Sequence, residues 1–166
     1  MELEEVLALY ALLAERGIEI WLDGGWGIDA LIGEQTRAHN DLDIAVRHAD
    51  VPKLREVLRS RGYAPIDRPD TTPWMFVLGD EVGHEVDVHS FTFDERGEHI
   101  YGIAYPAESL TGSGSLAGQP VRCIAAEWAV RFHTSYEPRP ADRHDLALLH
   151  ERLGIAVPDE YKRPLN

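Results

Sequence analysis

The stretch Trp21–Val46, WLDGGWGIDALIGEQTRAHNDLDIAV, combines a glycine turn with an Asp-x-Asp pair at the start of an apolar strand. Side chains alternate along a strand, so Asp41 and Asp43 point to the same face. Two adjacent carboxylates repel each other unless a cation lies between them or water screens them. The pair therefore marks either a solvated strand end or a cation site.

Three kinds of chemistry use such a pair, and the neighbouring residues exclude two of them. An EF-hand loop needs an oxygen ligand and then a glycine where Ala45 and Val46 stand. An aspartyl-phosphate enzyme carries its nucleophile after an apolar strand, whereas here the apolar run follows the pair. A Mg²⁺ site remains, because two aspartates on one strand face can each offer an oxygen. The solvated strand end also remains open.

The glycine turn before the pair follows a strand and opens a helix, which suits phosphate oxygens. Gly25, Gly27 and Ala30 also fit the G-x-G-x-x-A spacing of dinucleotide folds. The chain lacks the regular strand and helix alternation of those folds. A plain tight turn that needs glycine explains the pattern equally well. Trp26, between two glycines, is expected to face the site.

A second acidic strand lies further along the chain, in GHEVDVHSF, Gly83–Phe91. Strict alternation places Glu85, Asp87 and His89 on one face and two valines on the other. With the Asp-x-Asp pair on a neighbouring strand, Asp87 would complete a three-acid metal cluster. An edge strand with a wet face is the alternative.

The remaining pattern predicts an α+β fold with a mixed sheet. Three helices are expected first: one from Leu3 closed by Gly17, one over Gly27–Gly33, and one capped by Asp50 and closed by Gly62. A third strand over Thr72–Asp80, a hairpin after Glu95 and a short strand at Val121–Cys123 follow. Two helices separated by EPRP close the chain.

The composition of the 166-residue chain limits its partners. The net charge of −13 argues against a nucleic-acid-coating surface and favours a cationic small molecule. The single cysteine, Cys123, precludes an intrachain disulfide and is expected in the core, and a reducing cytoplasm is the expected compartment. The acidic N-terminal segment lacks the basic start of a signal peptide, and no apolar run approaches a membrane span.

Taken together, the glycine turn, the Asp-x-Asp pair and a later third aspartate resemble the polymerase β-like nucleotidyltransferases. More closely, Trp21–Val46 resembles the antibiotic O-nucleotidyltransferases, which include lincosamide and aminoglycoside 2″-O-nucleotidyltransferases. The segments Tyr105–Glu137 and Asp142–Gly154 are similar to the same group, so the likeness spans most of the chain.

This resemblance implies Mg²⁺-dependent transfer of a nucleoside monophosphate, with AMP as the expected group, from a triphosphate to a drug hydroxyl. It implies that Asp41, Asp43 and Asp87 hold two Mg²⁺ ions, and that Asp87 or Glu85 takes the hydroxyl proton. Pyrophosphate leaves. The wider superfamily has Gly-Ser at the turn, whereas this chain has Gly-Gly, so backbone N–H groups must contribute more.

Further expectations concern substrate contacts and organisation. The residues expected at the nucleotide are Gly24, Gly25, Arg37 and His39, and those expected at a cationic drug are Glu85, His89, Tyr136 and Asp142. The chain is expected to divide into a catalytic core, 1–110, and a dependent C-terminal part, 111–166. A homodimer would help so short a chain to enclose its drug. A protein-modifying transferase and a non-catalytic nucleotide-binding relative are the alternative functions.

Overall fold

The structure is a computed structural model that describes residues 1–137 and 139–162. Pro138, in the link before the last helix, and residues 163–166, the end of the expected C-terminal part, lie outside these ranges. The helices are α1 (Leu3–Glu15), α2 (Gly24–Ile32), α3 (Val51–Ser60), α4 (Ala126–His133) and α5 (Pro140–Leu153). The strands are β1 (Ile20–Leu22), β2 (Asp41–Arg47), β3 (Ala64–Ile66), β4 (Met75–Gly79), β5 (Glu85–Phe93), β6 (His99–Gly102), β7 (Gly112–Leu116) and β8 (Gln119–Cys123).

The strands form one mixed sheet in the order β3-β4-β5-β2-β1-β8-β7, and β6 pairs with β5. Strand β2 is parallel to β5, and β1 is parallel to β8, whereas the other pairs are antiparallel. Parallel pairs that are distant in sequence need crossovers through helices, and α3 lies within the crossover from β2 to β5. The α+β prediction is confirmed.

Both faces of the sheet are covered. On one face, α1 and α3 pack against the apolar side of β2; this cluster includes Val6, Leu9, Leu13, Leu54 and Leu58 with Leu42, Ile44 and Val46. On the other face, α4 and α5 pack on the centre of the sheet; this cluster includes Ala129, Val130, Leu146 and Leu149 with Trp21, Ala45 and Phe91. The acidic positions of β2 and β5 belong to this second face, at the end of the sheet that the apolar cluster leaves open.

The sequence pattern does not predict two of the strands. Strand β3 has three residues with a proline in the middle, and β7 is GSGSL, whose glycines and serines are poor strand formers. Their partners decide their conformation, since β3 pairs with β4 and β7 forms a hairpin with β8. The predicted hairpin after Glu95 is confirmed as β6 against β5.

Three local expectations are wrong, one of them only in part. Helix α2 begins at Gly24 rather than Gly27, because the glycine turn is itself the first helical turn. Asp50 stands at the N-cap position of α3 as expected, but its side chain makes no capping hydrogen bond, since the residue lies in a 3-10 turn that leads into the helix. Trp26 does not face the open site: it is only 1% exposed and packs in the core beneath the turn. Cys123 is buried as expected, and burial raises the pKa of its thiol to about 12.

Across residues 1–137 and 139–162, no helix is both long and apolar enough to cross a membrane.

Candidate active site

The carboxylates of β2 and β5 meet across a parallel pair of strands. In the register of this pair, Asp43 lies opposite Asp87, and Asp41 lies opposite Glu85. Potential ligand atoms of Asp43, Asp87 and His89 all lie within 4.8 Å of one another. Asp41 begins the strand on the same face and is exposed, so it flanks this group on the solvent side.

The acidic cluster carries unbalanced negative charge. Burial raises the pKa of Asp43 well above its ordinary value, and the charges of Asp41, Asp23 and Asp87 raise it further. Burial also raises the pKa of Asp87, although His89 acts in the opposite direction. The Oδ1 atom of Asp87 is buried without a hydrogen-bond partner among the described residues. Two crowded carboxylates with a spare buried oxygen fit a hard divalent cation, which takes oxygen ligands.

The glycine turn lies directly against this cluster. Gly24 has a φ of +55°, a conformation that favours glycine, and a Cβ there would collide with the Asp43 carboxylate. Asp23 accepts a hydrogen bond from the Gly24 N–H at 2.8 Å and another from the Tyr105 hydroxyl at 2.7 Å. The first intrahelical bond runs from the Gly27 N–H to the Asp23 carbonyl, so the amides of Gly25 and Trp26 have no acceptor among the described residues and are available to an anion.

The loop 34–40 packs beneath the turn and carries two of the predicted nucleotide contacts. A Cβ on Gly25 would lie 2.5 Å from Arg37 Nη2 and 2.5 Å from the His39 ring, so only glycine allows this approach. Arg37 binds Asp145 of α5 through two nitrogens, at 2.9 and 2.6 Å. His39 is buried, and its ring packs on Trp26 with centroids 4.4 Å apart. His39 thus supports the turn from within the protein, and its predicted contact with nucleotide stays a prediction.

Asp29, a residue that the sequence did not single out, organises this loop. Its fully buried carboxylate lies 2.5 Å from His39 Nε2 and accepts hydrogen bonds from Thr36 Oγ1 and the Thr36 N–H at 2.6 and 3.2 Å. A buried carboxylate needs such partners to offset its lost hydration. The signal that could have revealed it is a single acid in the otherwise apolar helix GIDALI.

Glu85 has a partner outside the cluster. One guanidinium nitrogen of Arg68, in the link between β3 and β4, lies 2.8 Å from both of its carboxylate oxygens. The two side chains flank an open cleft of about 220 Å³ beside the acidic cluster, which is lined by Asp41, Arg68, Asp70, Val77, Glu85 and Asp87. Glu85 thus shares its charge with a cation, whereas Asp87 Oδ1 makes no hydrogen bond among the described residues and lies 3.4 Å from His89 Nε2.

The predicted drug contacts lie in two places. His89 is in the acidic cluster, with Nε2 3.4 Å from Asp87 Oδ1. Asp142 is buried at the first turn of α5, where it accepts hydrogen bonds from the Arg139 backbone and side chain. Tyr136 is 46% exposed, and burial and then the charge of Asp142 raise its pKa to about 12. The Arg139 charge lowers the pKa of Asp43, so this end of α5 is within electrostatic range of the cluster.

A glycine turn at a helix N-terminus is set against aspartates on two parallel strands of a mixed sheet, and the family model that matches this chain places it in the class of the nucleotidyltransferases. The sequence comparisons narrow this class. The model of the aminoglycoside-2″-adenylyltransferase family matches residues 5–149. The chain belongs to this family, and the resemblance seen in the sequence is confirmed.

Several characterised proteins are similar to this chain. A lincosamide resistance protein of Staphylococcus haemolyticus is 26% identical over 153 residues, which cover 86% of this chain and 91% of that protein. A 2″-aminoglycoside nucleotidyltransferase of Escherichia coli is 27% identical over 150 residues, which cover 86% of this chain and 81% of that protein. The fold matches lincomycin-bound LnuA with a TM-score of 0.75 at 24% identity, over 86% and 92% of the chains. It also matches ANT(2″)-Ia in complex with adenylyl-2″-tobramycin, with a TM-score of 0.75 at 21% identity, over 92% of this chain and 89% of that one.

Proposed function

We propose that this protein transfers a nucleoside monophosphate, AMP in the first instance, from a nucleoside triphosphate to a hydroxyl of an antibiotic. The observation that carries the proposal is the placement of Asp43 opposite Asp87, directly beside the free amides of the glycine turn. Acids alone would repel a triphosphate. A cation site adjoining a helix N-terminus can hold one.

Each group in the site has a part in this reaction. The acceptor oxygen attacks the α-phosphorus, the bond from the α-phosphorus to the bridging oxygen breaks, and pyrophosphate leaves. Asp87 takes the hydroxyl proton, since its carboxylate lies in the cluster opposite Asp43, whereas that of Glu85 is engaged by Arg68. Glu85, held by Arg68, is the weaker candidate for this role.

The metal ligands we propose are Asp41, Asp43 and Asp87, with His89 beside them. Two Mg²⁺ ions held there would neutralise phosphate charge and make the acceptor hydroxyl easier to deprotonate. The Gly25 amide and the Arg37 guanidinium would hold the phosphate oxygens, and Gly24, whose own amide donates to Asp23, would let a phosphate approach closely because it has no side chain. The protein would thus act chiefly by placing reactants and offsetting charge.

The acceptor we propose is a cationic drug of the lincosamide or aminoglycoside type, as the names of the relatives indicate for those proteins. The cleft beside the cluster is rich in carboxylates, with Asp70 added to the residues already named, and the net charge of −13 acts in the same direction. His89, Tyr136 and Asp142 stay candidates for drug contacts. A homodimer and a cytoplasmic location are further proposals, and sedimentation analysis and cell fractionation test them.

The deciding experiment incubates the protein with ATP or GTP, Mg²⁺ and a panel of lincosamides and aminoglycosides, followed by mass spectrometry of each drug. The expected result is one drug whose mass rises by one nucleoside monophosphate, with release of pyrophosphate. A folded protein that modifies no drug on the panel would contradict the proposal. Transfer that continues without any divalent cation would contradict the metal role of the acidic cluster.

A further inference from the structure

We propose that Asp145 is a positioning residue for the nucleotide site, through which helix α5 sets the affinity for the triphosphate. It acts by holding the Arg37 guanidinium against the glycine turn. This inference rests on the proposed function, because it concerns the triphosphate of the same reaction.

The contact itself is strong and specific. Arg37 Nε lies 2.9 Å from Asp145 Oδ1 and Arg37 Nη2 lies 2.6 Å from Asp145 Oδ2, a bidentate pair between residues 108 positions apart. The Asp145 side chain is 1% exposed, and that of Arg37 is 26% exposed. A two-pronged pair fixes the plane of the guanidinium as well as its position. A buried aspartate thus orients a partly exposed arginine.

The orientation leaves Arg37 able to bind a second anion. A guanidinium has five N–H donors. Arg37 uses three of them, on Asp145 and on the carbonyl of Ala38. One donor remains on each terminal nitrogen, and Nη2 lies so near Gly25 that a Cβ there would be 2.5 Å away. The remaining donor on Nη2 therefore lies beside Gly25 at the start of α2, where phosphate oxygens would bind.

Asp145 could affect triphosphate binding in two opposite ways, and the direction in which its mutation changes the affinity separates them. As a charge alone, Asp145 should repel a triphosphate, and its removal should tighten binding. As a positioning residue, it holds a flexible side chain in the binding orientation, and its removal should weaken binding. We expect positioning to dominate, because Asp145 is buried behind Arg37 and its charge is already paired with the guanidinium.

The chain offers a matched control in a second ion pair between α5 and the same loop. Arg152 of α5 lies 3.4 Å from Glu34, and both side chains are more than half exposed. Arg152→Gln removes a contact between the same two segments without touching Arg37. A general loosening of α5 would affect both variants, whereas a positioning role affects only Asp145→Asn.

The experiment measures binding of a non-hydrolysable ATP analogue with Mg²⁺, and of adenosine, by calorimetry on the full chain. Asp145→Asn should weaken binding of the analogue by at least about tenfold and leave adenosine affinity unchanged, since the lost contacts are charge-assisted hydrogen bonds to phosphate. Arg37→Gln should have a similar effect, and the double variant should be no weaker than Arg37→Gln alone. Arg152→Gln should bind like the wild type.

Unchanged or tighter analogue binding in Asp145→Asn, or losses that simply add in the double variant, would overturn the proposal. If Asp145→Asn does not fold, Arg37→Lys tests the same point, because it keeps the charge and loses the two-pronged contact. Wild-type affinity in that variant would also overturn it. Absence of drug modification by the wild-type chain contradicts the proposed function, whereas wild-type affinity in these variants contradicts only the positioning role.

Discussion

Replacing Asp43 with asparagine should make the metal-free protein more stable while it abolishes transfer. The substitution keeps the shape of the side chain and removes its charge. The ligand atoms of Asp43 and Asp87 lie within 4.8 Å, so their repulsion is at least about 0.9 kcal/mol with the dielectric constant of water and about 3.5 kcal/mol with an effective value near 20. The Asp87 side chain is 30% exposed, which favours the lower half of this range, about 1–2 kcal/mol.

Thermal unfolding followed by circular dichroism checks this prediction, with chelator present and again with Mg²⁺ and the ATP analogue. In chelator, a gain of about 1–2 kcal/mol should raise the midpoint of Asp43→Asn by roughly 2–8 °C over the wild type. With Mg²⁺ and the analogue, the wild type should gain stability by mass action, and the variant should gain far less. Glu56→Gln, an exposed change on α3 across the sheet, removes the same unit of charge and should shift neither midpoint appreciably.

The pH dependence gives an independent check with a defined sign. Because burial raises the pKa of Asp43 above its ordinary value of 3.8, the folded protein binds this proton more tightly than the unfolded chain. Stability of the metal-free wild type should therefore fall as pH rises from about 4 through the raised pKa, and then level off. Asp43→Asn should reduce this dependence. A variant that is less stable than the wild type in chelator, or one that retains full transfer activity, would refute the reasoning.

Three further changes test other parts of the site and fold. Gly24→Ala should lower transfer at least about tenfold and destabilise the protein by about 1–2 kcal/mol, because the residue has a φ of +55° and its Cβ would strike Asp43. Steady-state kinetics measures the transfer rate and denaturant unfolding measures the stability, and wild-type values of both would contradict the geometry. Asp142→Asn should cost about 1 kcal/mol at pH 7 by weakening the cap of α5. Although burial opposes it, Arg139 lowers the pKa of Asp142, so this cost should begin to shrink near pH 4 and vanish as pH falls through the lowered pKa; unfolding at pH 7 and pH 3 shows whether it shrinks. Residues 1–110 alone should not fold, since β8 pairs with β1 and α4 and α5 cover one face of the sheet; a cooperative unfolding transition of this fragment would show otherwise.

Most of the fold could be predicted from local pattern. Helical periodicity located α1 and α3, glycines marked several helix ends, and alternation along Gly83–Phe91 located β5 with its acidic face. The two missed strands lack such a pattern. They are strands because a neighbouring strand supplies hydrogen bonds, and pairing partners are a property of the tertiary structure.

The candidate site also contains residues that a local pattern indicates and residues that it does not. Asp41, Asp43, Asp87 and the glycine turn could be singled out as candidates because each stands at a fixed offset within one strand or one turn. Their partners could not be found, because each partner comes from a distant part of the chain. Thus Tyr105 reaches Asp23, Arg68 reaches Glu85, and α5 supplies the acid that holds Arg37.

By itself the sequence determined which acids share a strand face, because strand periodicity is a local property of the backbone. Only the tertiary structure decided that β2 and β5 run parallel and in register, so that Asp43 meets Asp87. It also decided that His39 and Trp26 are buried, and that Arg37 is oriented by a residue 108 positions away. Such pairings depend on how the whole core packs, and no short stretch of sequence encodes that packing.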